Sequence, residues 1–167
     1  TQSGAGTLTF GAGTEALTLT FKDDSIEISG LLKGNLTLTP ELALLPVKIG
    51  TADELMAFAA LINGSTQDRN AILTEDIDLT GRTWTPIGNN TNKIYCGTFD
   101  GAGHTISGLT EVSGGYRALF GNIGSGAVIK NLTVEGSLDV GANNGGGLVS
   151  YARLDRADGT VVLQNCT

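Results

Sequence analysis

Residues 97–109, GTFDGAGHTISGL, contain residue types from which an active site or a metal site could be built. They include the chain's single histidine, His104, and a carboxylate at Asp100. Imidazole and carboxylate groups serve both as general acids and bases and as metal ligands. A metal needs several converging donors, and we expect His104 to stand alone. The nearby acids Asp76 and Asp78 do not continue into the alternating oxygen ligands of a calcium loop, although calcium is the metal alternative that stays open.

A structural interpretation accounts for the same residues. Asp100 can accept backbone N–H groups within a turn, with Phe99 and Ile106 buried on either side of it. The glycines permit positive φ at tight corners, and they are Gly97, Gly101 and Gly103. We therefore expect residues 97–109 to form a sharp corner between strands, and the sequence predicts no catalytic, cofactor-binding or metal-binding residue in this chain.

Charge and composition argue against two classes of partner. The chain carries 10 Lys and Arg against 17 Asp and Glu, a formal net charge of −7. This is the wrong sign for holding a nucleic-acid backbone. No apolar run approaches the roughly 20 residues that a membrane span requires. We therefore expect no nucleic-acid partner and no membrane span in this chain.

The two cysteines, Cys96 and Cys166, are too sparse for a disulfide-stapled fold. They are also too few for a zinc site, which takes four clustered ligands. Two interpretations stay open: a disulfide, or two small thiol side chains packed among apolar neighbours.

Hydrophobic periodicity separates residues 1–50 from the rest of the chain. Apolar and polar residues alternate there over short runs, which is typical of strands with one buried face. We predict four such strands, near residues 8–10, 17–21, 26–28 and 36–38. This N-terminal segment is a cap, a small separate sheet, or a strand lent to another molecule.

Residues 51–64, TADELMAFAALING, predict one amphipathic capping helix. Thr51 and Glu54 form a capping box, and Asn63–Gly64 offers a left-handed stop. The apolar face recurs at helical spacing and consists of Leu55, Phe58, Ala59 and Ile62. A face of this kind is typical of core packing rather than of a binding groove.

Two kinds of segment recur after the helix. ISGLT, IKNLT and LQNCT begin at Ile106, Ile129 and Leu163 and share an apolar-x-(Gly/Asn)-apolar-Thr frame. ALFG at 118–121 resembles GLVS at 147–150. Recurrence of this kind predicts a ribbon of strands that coils and stacks.

Stacking would give residues 65–167 their core, because each coil buries its apolar edge against the next and places like residues on like. The repeats predict one inward column of Leu109, Leu132 and Cys166. They also predict a second column, an amide ladder, of Asn131 and Asn165.

Four further landmarks follow the helix in order: LTEDIDL at 73–79, WTPIG at 84–88, GTFDG at 97–101 and GHTI at 103–106. With the helix, this set resembles the repeat region of bacterial surface proteins that carry the GLUG motif, a family that includes segments of immunoglobulin A1 proteases and adhesin-like proteins. The motif appears twice, imperfectly: Ala118 replaces the first glycine of one copy, and Ser150 the last glycine of the other. The resemblance covers residues 51–167 and implies a right-handed parallel β-helix.

The predicted fold is therefore all-β with one short capping helix: a β-strand-rich segment at 1–50, the helix at 51–64, and a parallel β-helix of few coils at 65–167. The predicted function is that of a non-catalytic, extracellular module on a bacterial cell surface, with a structural or adhesive role. Its expected partners are a host glycan or protein, or copies of itself.

Two alternative functions stay open. The chain ends within a predicted strand, and Thr7–Phe10 of a neighbour could add to that open edge, which would make the protein a fibre subunit that polymerises head to tail. Parallel β-helices also include polysaccharide lyases and hydrolases, which need paired carboxylates or a metal on one face. The one dense charged cluster alternates in sign, as a solvated turn does, and consists of Arg153, Asp155, Arg156 and Asp158.

Overall fold

The structure, a computed structural model, describes residues 6–10, 17–22, 25–30, 45–64, 66–138, 144–154 and 159–167. Backbone contacts divide the chain into two compact units, Thr1–Ala43 and Leu44–Thr167. Across the described residues the fold is mostly β with one short helix, as the sequence predicts.

The first unit contains an antiparallel sheet of three strands in the order β1-β2-β3. They are β1 (Gly6–Phe10), β2 (Leu17–Lys22) and β3 (Ser25–Gly30). The register sets Leu8 opposite Leu19, and Leu19 opposite Ile28, so the alternating pattern is in phase across the sheet. Three of the four predicted strands are thereby confirmed, and the fourth, near residues 36–38, lies outside the described residues.

The second unit begins with strand β4 (Val47–Ile49), helix α1 (Ala52–Gly64) and strand β5 (Ala71–Leu73). Strand β4 lies within the segment that the sequence analysis assigned to the N-terminal region. It pairs in parallel with β5 and so belongs to the second unit.

The start of α1 has the predicted capping box. The N–H of Glu54 donates to Thr51 Oγ1 at 3.2 Å, and Glu54 Oε2 accepts the N–H groups of Thr51 at 3.1 Å and Gly50 at 2.8 Å. These bonds satisfy backbone donors that the first turn of a helix leaves without a partner. The predicted apolar face is buried along its whole length, at Leu55, Phe58, Ala59 and Ile62.

The end of α1 differs from the prediction. Gly64 is the last helical residue and has no positive φ, so the expected left-handed stop is wrong. The side chain of Asn63 instead ties the helix end to a neighbouring segment. Its Nδ2 donates to Pro86 O at 2.9 Å, and its Oδ1 accepts the N–H groups of Gly88 and Asn89, each at 3.0 Å.

Eleven further strands are described in the second unit: β6 (Ile77–Asp78), β7 (Thr83–Trp84), β8 (Thr98–Asp100), β9 (Thr105–Leu109), β10 (Glu111–Val112), β11 (Tyr116–Arg117), β12 (Phe120–Ile123), β13 (Val128–Gly136), β14 (Asn144–Gly145), β15 (Val149–Ala152) and β16 (Val162–Cys166). Every pairing between these strands, and between them and β4 and β5, is parallel among the described residues.

The longest series of parallel strands runs β4-β5-β8-β13-β16. Val47 pairs with Ala71, Ala71 with Phe99, Phe99 with Ile129, and Ile129 with Leu163. Paired residues in this series are 24 to 34 positions apart in the chain. Each strand therefore lies beside the strand that comes next in this series, about 30 residues further along the chain. We call this distance one recurrence.

Strand β13 changes partners at a corner. Its first half pairs with β8 and β16, and its second half pairs with β9, which in turn pairs with β6. Between the halves Asn131 has φ of 53°, a left-handed conformation that turns the chain. Three shorter parallel pairs, β7-β10, β11-β14 and β12-β15, follow the same one-recurrence spacing.

Two predicted neighbour relations are confirmed. ALFG lies beside GLVS, with Phe120 paired with Val149. LQNCT lies beside IKNLT, with Leu132 paired with Cys166. The recurring segments therefore stack on one another.

The predicted register of ISGLT is wrong. Ile106 pairs with Val134, not with Ile129, and Leu109 pairs with Gly136. Leu109 therefore does not continue the column of Leu132, although both side chains are buried.

The two segments lie at different places relative to the corner between β8 and β9. IKNLT contains the corner residue Asn131, whereas ISGLT begins after the corner that follows Asp100, so residues at the same place in the shared frame do not pair. Asp100 pairs with Lys130 before the corner, and Thr105 pairs with Thr133 after it. The earlier corner thus holds four residues and the later one holds two. The separation of paired residues is therefore 30 before the corner and 28 after it, so the two extra residues account for only part of the difference between Ile129 and Val134.

The core of the second unit is centred on four aromatic rings. Phe58 of α1 lies 6.1 Å from Tyr95 and 6.0 Å from Phe99, measured between ring centroids. Phe120 lies 5.6 Å from Tyr95 and 5.2 Å from Phe99. The helix thereby packs against an aromatic side chain of strand β8 and one of the segment just before that strand.

Candidate functional site

The corner at residues 97–109 lies between β8 and β9, as predicted. Phe99 and Ile106 are fully buried on its two sides. Asp100 Oδ1 accepts the N–H of Ala102 at 2.9 Å, so the carboxylate closes the turn. These contacts support the interpretation of residues 97–109 as a sharp corner between two strands.

The glycines of this corner serve two different purposes. Gly103 has a positive φ of 87°, but Gly97 and Gly101 do not, and Ala102 takes a left-handed φ of 51° instead. A Cβ on Gly101 would lie 2.4 Å from the carbonyl oxygen of Asn131, and one on Gly97 would lie 2.5 Å from that of Arg69. The prediction of positive φ is therefore wrong for Gly97 and Gly101. These positions need glycine because a neighbouring backbone passes too close to leave room for a Cβ atom.

Asp100 joins two neighbouring rungs through charge and hydrogen bonds. Its Oδ2 lies 3.0 Å from Lys130 Nζ, and its Oδ1 accepts a hydrogen bond from Asn131 Nδ2 at 3.1 Å. Partial burial opposes ionisation of this carboxyl. The hydrogen bonds from Ala102, Lys130 and Asn131, with the charge of Lys130, outweigh that burial and hold its pKa below the ordinary value.

The predicted amide ladder is present, and Asp100 begins it. Asn165 Nδ2 donates to Asn131 Oδ1 at 3.0 Å, just as Asn131 Nδ2 donates to Asp100. An ionised carboxylate can only accept, so the atom of Asn131 that faces Asp100 must be Nδ2. Asn131 consequently presents Oδ1 to the next rung, and Asn165 must present Nδ2. The carboxylate of Asp100 therefore fixes the direction of hydrogen bonding along the ladder: each asparagine donates toward Asp100.

His104 has a partner that the sequence analysis missed. Its Nδ1 lies 3.1 Å from Asp76 Oδ1, which also accepts the N–H of Thr105 at 2.9 Å. The hydrogen bonds that the Asp76 carboxylate accepts from the Thr105 N–H and from His104 lower the pKa of Asp76. The expectation that His104 stands alone is wrong. Asp76 and His104 are 28 positions apart, about one recurrence of the strands, and this spacing is the signal that could have found the pair.

A histidine beside a carboxylate is the arrangement of an oriented general base. Among the described residues, however, the His104 ring makes its side-chain contact with Asp76 alone. Asp78, the other acid of this strand, accepts the N–H of Thr80 at 2.8 Å and stays apart from the pair. No group of three or more His, Cys, Asp or Glu side chains that could hold a metal occurs in the described part of the chain.

A groove of about 270 Å³ lies between α1 and the segment that contains Trp84. Its lining is mostly apolar, and consists of Met56, Ala59, Ala60, Asn63, Trp84, Thr85 and Asn89. Its polar groups are engaged within the fold: Trp84 Nε1 donates to Leu119 O at 3.0 Å, and Asn63 binds three backbone groups. The groove could therefore accommodate an apolar group, but it has few polar groups left to bind a ligand.

The last described strands, β15 and β16, expose apolar side chains, whereas the strands with which they pair bury theirs. Phe99 and Ile129 are 0% exposed, whereas Leu163, which stacks on Ile129, is 52% exposed. Tyr151, Leu154 and Val162, in or next to these strands, are also exposed. Leu163 lacks a further rung on its outer side among the described residues.

The remaining predicted groups have simple outcomes. Cys96 and Cys166 are not joined by a disulfide in this structure, and each is half-buried, which agrees with the second of the two interpretations. Arg153 is exposed, and the other members of its charged cluster lie outside the described residues, at Asp155, Arg156 and Asp158. No helix in the described ranges has the length and apolar character needed to cross a bilayer.

Comparison with known proteins gives two partial relatives. The chain is 33% identical over 94 residues to halomucin of Haloquadratum walsbyi, an alignment that covers 50% of this chain and 1% of halomucin. It is 39% identical over 72 residues to a protein of Evansella cellulosilytica described as a Gly-rich membrane protein, covering 38% of this chain and 8% of that protein. No family model matches the chain. No solved structure matches it significantly. The chain is thus similar, over less than a tenth of their length, to two much longer proteins.

Proposed function

We propose that the second unit is a right-handed parallel β-helix of the GLUG-motif class. In this proposal it serves as a non-catalytic structural or adhesive module of an extracellular cell-surface protein. The observation that carries it is the stacking of recurring segments in parallel register, above all Ile129 on Leu163 and Phe120 on Val149. A scaffold of stacked rungs presents a long ordered face at modest chain length.

The corner at Asn131 supports a coil rather than a flat sheet. The chain leaves one series of parallel strands there and joins another within a single strand, β13. Two series that share a strand across a left-handed residue lie on different sides of a coil. Helix α1 lies in the first coil, between β4 and β5, and buries its apolar face there.

The roles of the titratable groups support a non-catalytic module. Asp100 contacts Lys130 and Asn131 of the next rung, and Asp76 contacts His104 and Thr105. In both places the carboxylate joins segments that lie about one recurrence apart. Such contacts can hold neighbouring segments in register, which is a structural role for both carboxylates.

The names of the relatives support a location at the cell surface or membrane. One relative is named halomucin and the other is described as a membrane protein. The acidic net charge of −7 is compatible with a solvated outer face. The structural or adhesive role and the bacterial surface are proposals that rest on these names and on the resemblance to GLUG-motif proteins.

Binding and turnover assays test this function. We expect the chain to bind a host glycan or protein on an array, and to leave a panel of acidic polysaccharides undegraded. Turnover that is lost in both Asp76→Asn and His104→Gln would contradict the non-catalytic role, because it would make the exposed pair an active site. A matched Asp68→Asn variant at an exposed turn controls for the loss of one acid.

The alternative of a fibre built by donated strands receives no support from β1. Its residues Gly6–Phe10 pair along their whole length with β2 of the same chain. Light scattering tests the alternative directly. A chain that forms polymers at high concentration, and loses them on deletion of residues 1–10, would favour the fibre over the surface module.

A further inference from the structure

The sequence contains five Asn-x-Ser/Thr triplets, the pattern at which N-linked glycans are attached to extracellular proteins. The triplets begin at Asn35, Asn63, Asn89, Asn131 and Asn165. The sugar is bonded to the side-chain nitrogen of the asparagine, Nδ2. A triplet of the folded chain can therefore accept a glycan only where that nitrogen is accessible and the hydroxyl residue lies at the surface. Asn35 lies outside the described residues.

Three of the triplets use their Nδ2 within the fold. Asn63 Nδ2 donates to Pro86 O at 2.9 Å. Asn131 Nδ2 donates to Asp100 at 3.1 Å, and Asn165 Nδ2 donates to Asn131 at 3.0 Å. A glycan on any of these nitrogens would displace the group to which the nitrogen is bonded, so the fold itself blocks these three positions.

Asn89 differs from the other three. Its Nδ2 has no hydrogen-bond partner in the described part of the chain, while its Oδ1 accepts Asn90 Nδ2 at 3.1 Å. Lys93 N–H donates to Asn90 O at 3.1 Å, so the chain makes a tight turn directly after Asn89. Thr91, the hydroxyl residue of the triplet, is exposed in this turn. Asn89 therefore has both properties of an acceptor.

The surface beside Asn89 is suited to a sugar ring. Asn89 is part of the lining of the groove of about 270 Å³ between α1 and the Trp84 segment. Met56, which is half-buried, and Ala60, which is exposed, line the same groove. A sugar ring has a face of C–H groups that packs against apolar side chains. Covalent attachment at Asn89 would hold that face at the groove, so few polar partners are needed there.

We propose that Asn89 carries an N-linked glycan whose first sugar lies over this groove. This inference rests on the extracellular location in the proposed function, because oligosaccharyltransferases act on the outer side of the membrane. In the transfer, Asn89 Nδ2 forms a bond to the anomeric carbon of an oligosaccharide carried by a lipid phosphate. The bond from that carbon to the phosphate oxygen breaks, the lipid phosphate leaves with the electron pair, and Nδ2 loses one proton to a base of the transferase.

The test uses the folded full chain, a purified oligosaccharyltransferase that recognises Asn-x-Ser/Thr, and its lipid-linked oligosaccharide. Mass spectrometry of the glycopeptides measures the occupancy of each asparagine. Each value is divided by the occupancy of a synthetic peptide with the same triplet, which corrects for the preference of the transferase. We expect the corrected occupancy of Asn89 to be at least about tenfold above that of the three bound asparagines, which become accessible only when the fold opens locally.

Matched variants locate the transfer. Thr91→Ala removes the hydroxyl of the triplet and should abolish occupancy of Asn89, whereas Thr91→Ser should retain it. Thr110→Ala, at an exposed threonine outside every triplet, should leave occupancy unchanged. Occupancy that persists in Thr91→Ala, or a corrected occupancy of Asn131 equal to that of Asn89, would overturn the proposal.

Met56 reports where the first sugar lies, because it is the chain's single methionine and it lines the groove. Hydrogen peroxide converts its thioether to the sulfoxide, which mass spectrometry follows. We expect this oxidation to be at least about twofold slower in the glycosylated chain than in the unmodified chain, because the sugar covers the thioether. Equal rates would overturn the placement of the sugar over the groove.

Protein on the cells that make it separates failure of this proposal from failure of the proposed function. A protease added to intact cells releases peptides of surface proteins, and mapping then measures the occupancy of Asn89. Released peptides with a glycan on Asn89 are the expected result. Released peptides with a bare Asn89 would overturn the glycan and leave the surface module standing. A chain that the protease does not reach, and that is bare at Asn89, would remove both proposals.

Discussion

At the scale of single residues, the corner at 97–109 shows why one type of residue can be required for different reasons. Gly101 is required by space, because the backbone of Asn131 passes next to it. Gly103 is required by conformation, because its φ is 87° and it is open to solvent. The two glycines are two positions apart and look equivalent in the sequence.

Alanine substitution should separate these two reasons. Gly101→Ala would place its Cβ 2.4 Å from Asn131 O and 2.7 Å from Leu132 Cα, so the rungs must move apart. We expect a loss of about 2–3 kcal/mol in the free energy of unfolding. Gly103→Ala meets no atom within 4 Å and should cost about 1 kcal/mol of backbone strain. Urea unfolding of both variants measures which of them loses more free energy of unfolding. A larger loss for Gly103→Ala would contradict this account.

Asp100 predicts a dependence of stability on pH. Its pKa is lower in the folded chain than the ordinary value of 3.8, so the unfolded chain binds a proton more readily. This contribution is present above about pH 4 and is lost as the pH falls through the folded pKa. Asp100→Asn should therefore make the acid side of the stability profile less steep. Urea midpoints between pH 2.5 and 6 measure it, with Asp68→Asn at an exposed turn as the control.

At the scale of elements, α1 is the part that local signals specify most fully. Its capping box joins residues three positions apart, and its buried face repeats within one helical turn. Neither feature depends on how distant parts of the chain are arranged. This is why the start and the buried face were predictable and the end, which Asn63 anchors to a distant segment, was not.

The cap should contribute measurably to stability. Thr51→Ala removes the hydroxyl that accepts the N–H of Glu54, and we expect it to lower the free energy of unfolding by about 1 kcal/mol. Thr51→Ser keeps the hydroxyl and should retain most of that stability. Thermal unfolding followed by circular dichroism compares the two. A loss of the same size in Thr51→Ser would show that the methyl group, rather than the cap, is responsible.

At the scale of the whole molecule, burial should depend on the number of neighbouring rungs. Ile129 has Phe99 on one side and Leu163 on the other, and it is fully buried. Leu163 pairs with Ile129 and is half exposed. An aliphatic side chain is therefore fully buried in the middle of this series of strands and half exposed at its last described strand, so its contribution to stability should differ between the two places.

Truncation of these two side chains tests the stack as a whole. Ile129→Ala should cost about 2–5 kcal/mol, because it removes buried methyl groups and leaves a cavity. Leu163→Ala should cost less than about 1 kcal/mol, since surface substitutions have small effects. Chemical unfolding of both variants measures the two losses of unfolding free energy. Equal losses would mean that Leu163 is covered in solution and that the last rung does not end the stack.

The sequence alone determined the features that depend on neighbours a few positions apart. These are the strands with alternating residues in 6–30, the cap and buried face of α1, and the likeness of segments such as IKNLT and LQNCT. The amide ladder was also within reach, because Asn131 and Asn165 occupy the same place in two similar segments. Hydrogen bonds and hydrophobic faces of this kind follow from spacing along the chain.

Only the tertiary structure decided which rung lies beside which, and what the chemically suggestive residues contact. Ile106 pairs with Val134 rather than with Ile129 because ISGLT begins after the corner that follows Asp100, whereas IKNLT spans the corresponding corner, a difference that the shared frame does not show. Asp76 reaches His104, and Asp100 reaches Lys130, because stacking brings residues about 30 positions apart into contact. The physical reason is that register is set by the packing of whole rungs, to which each short segment contributes only a part.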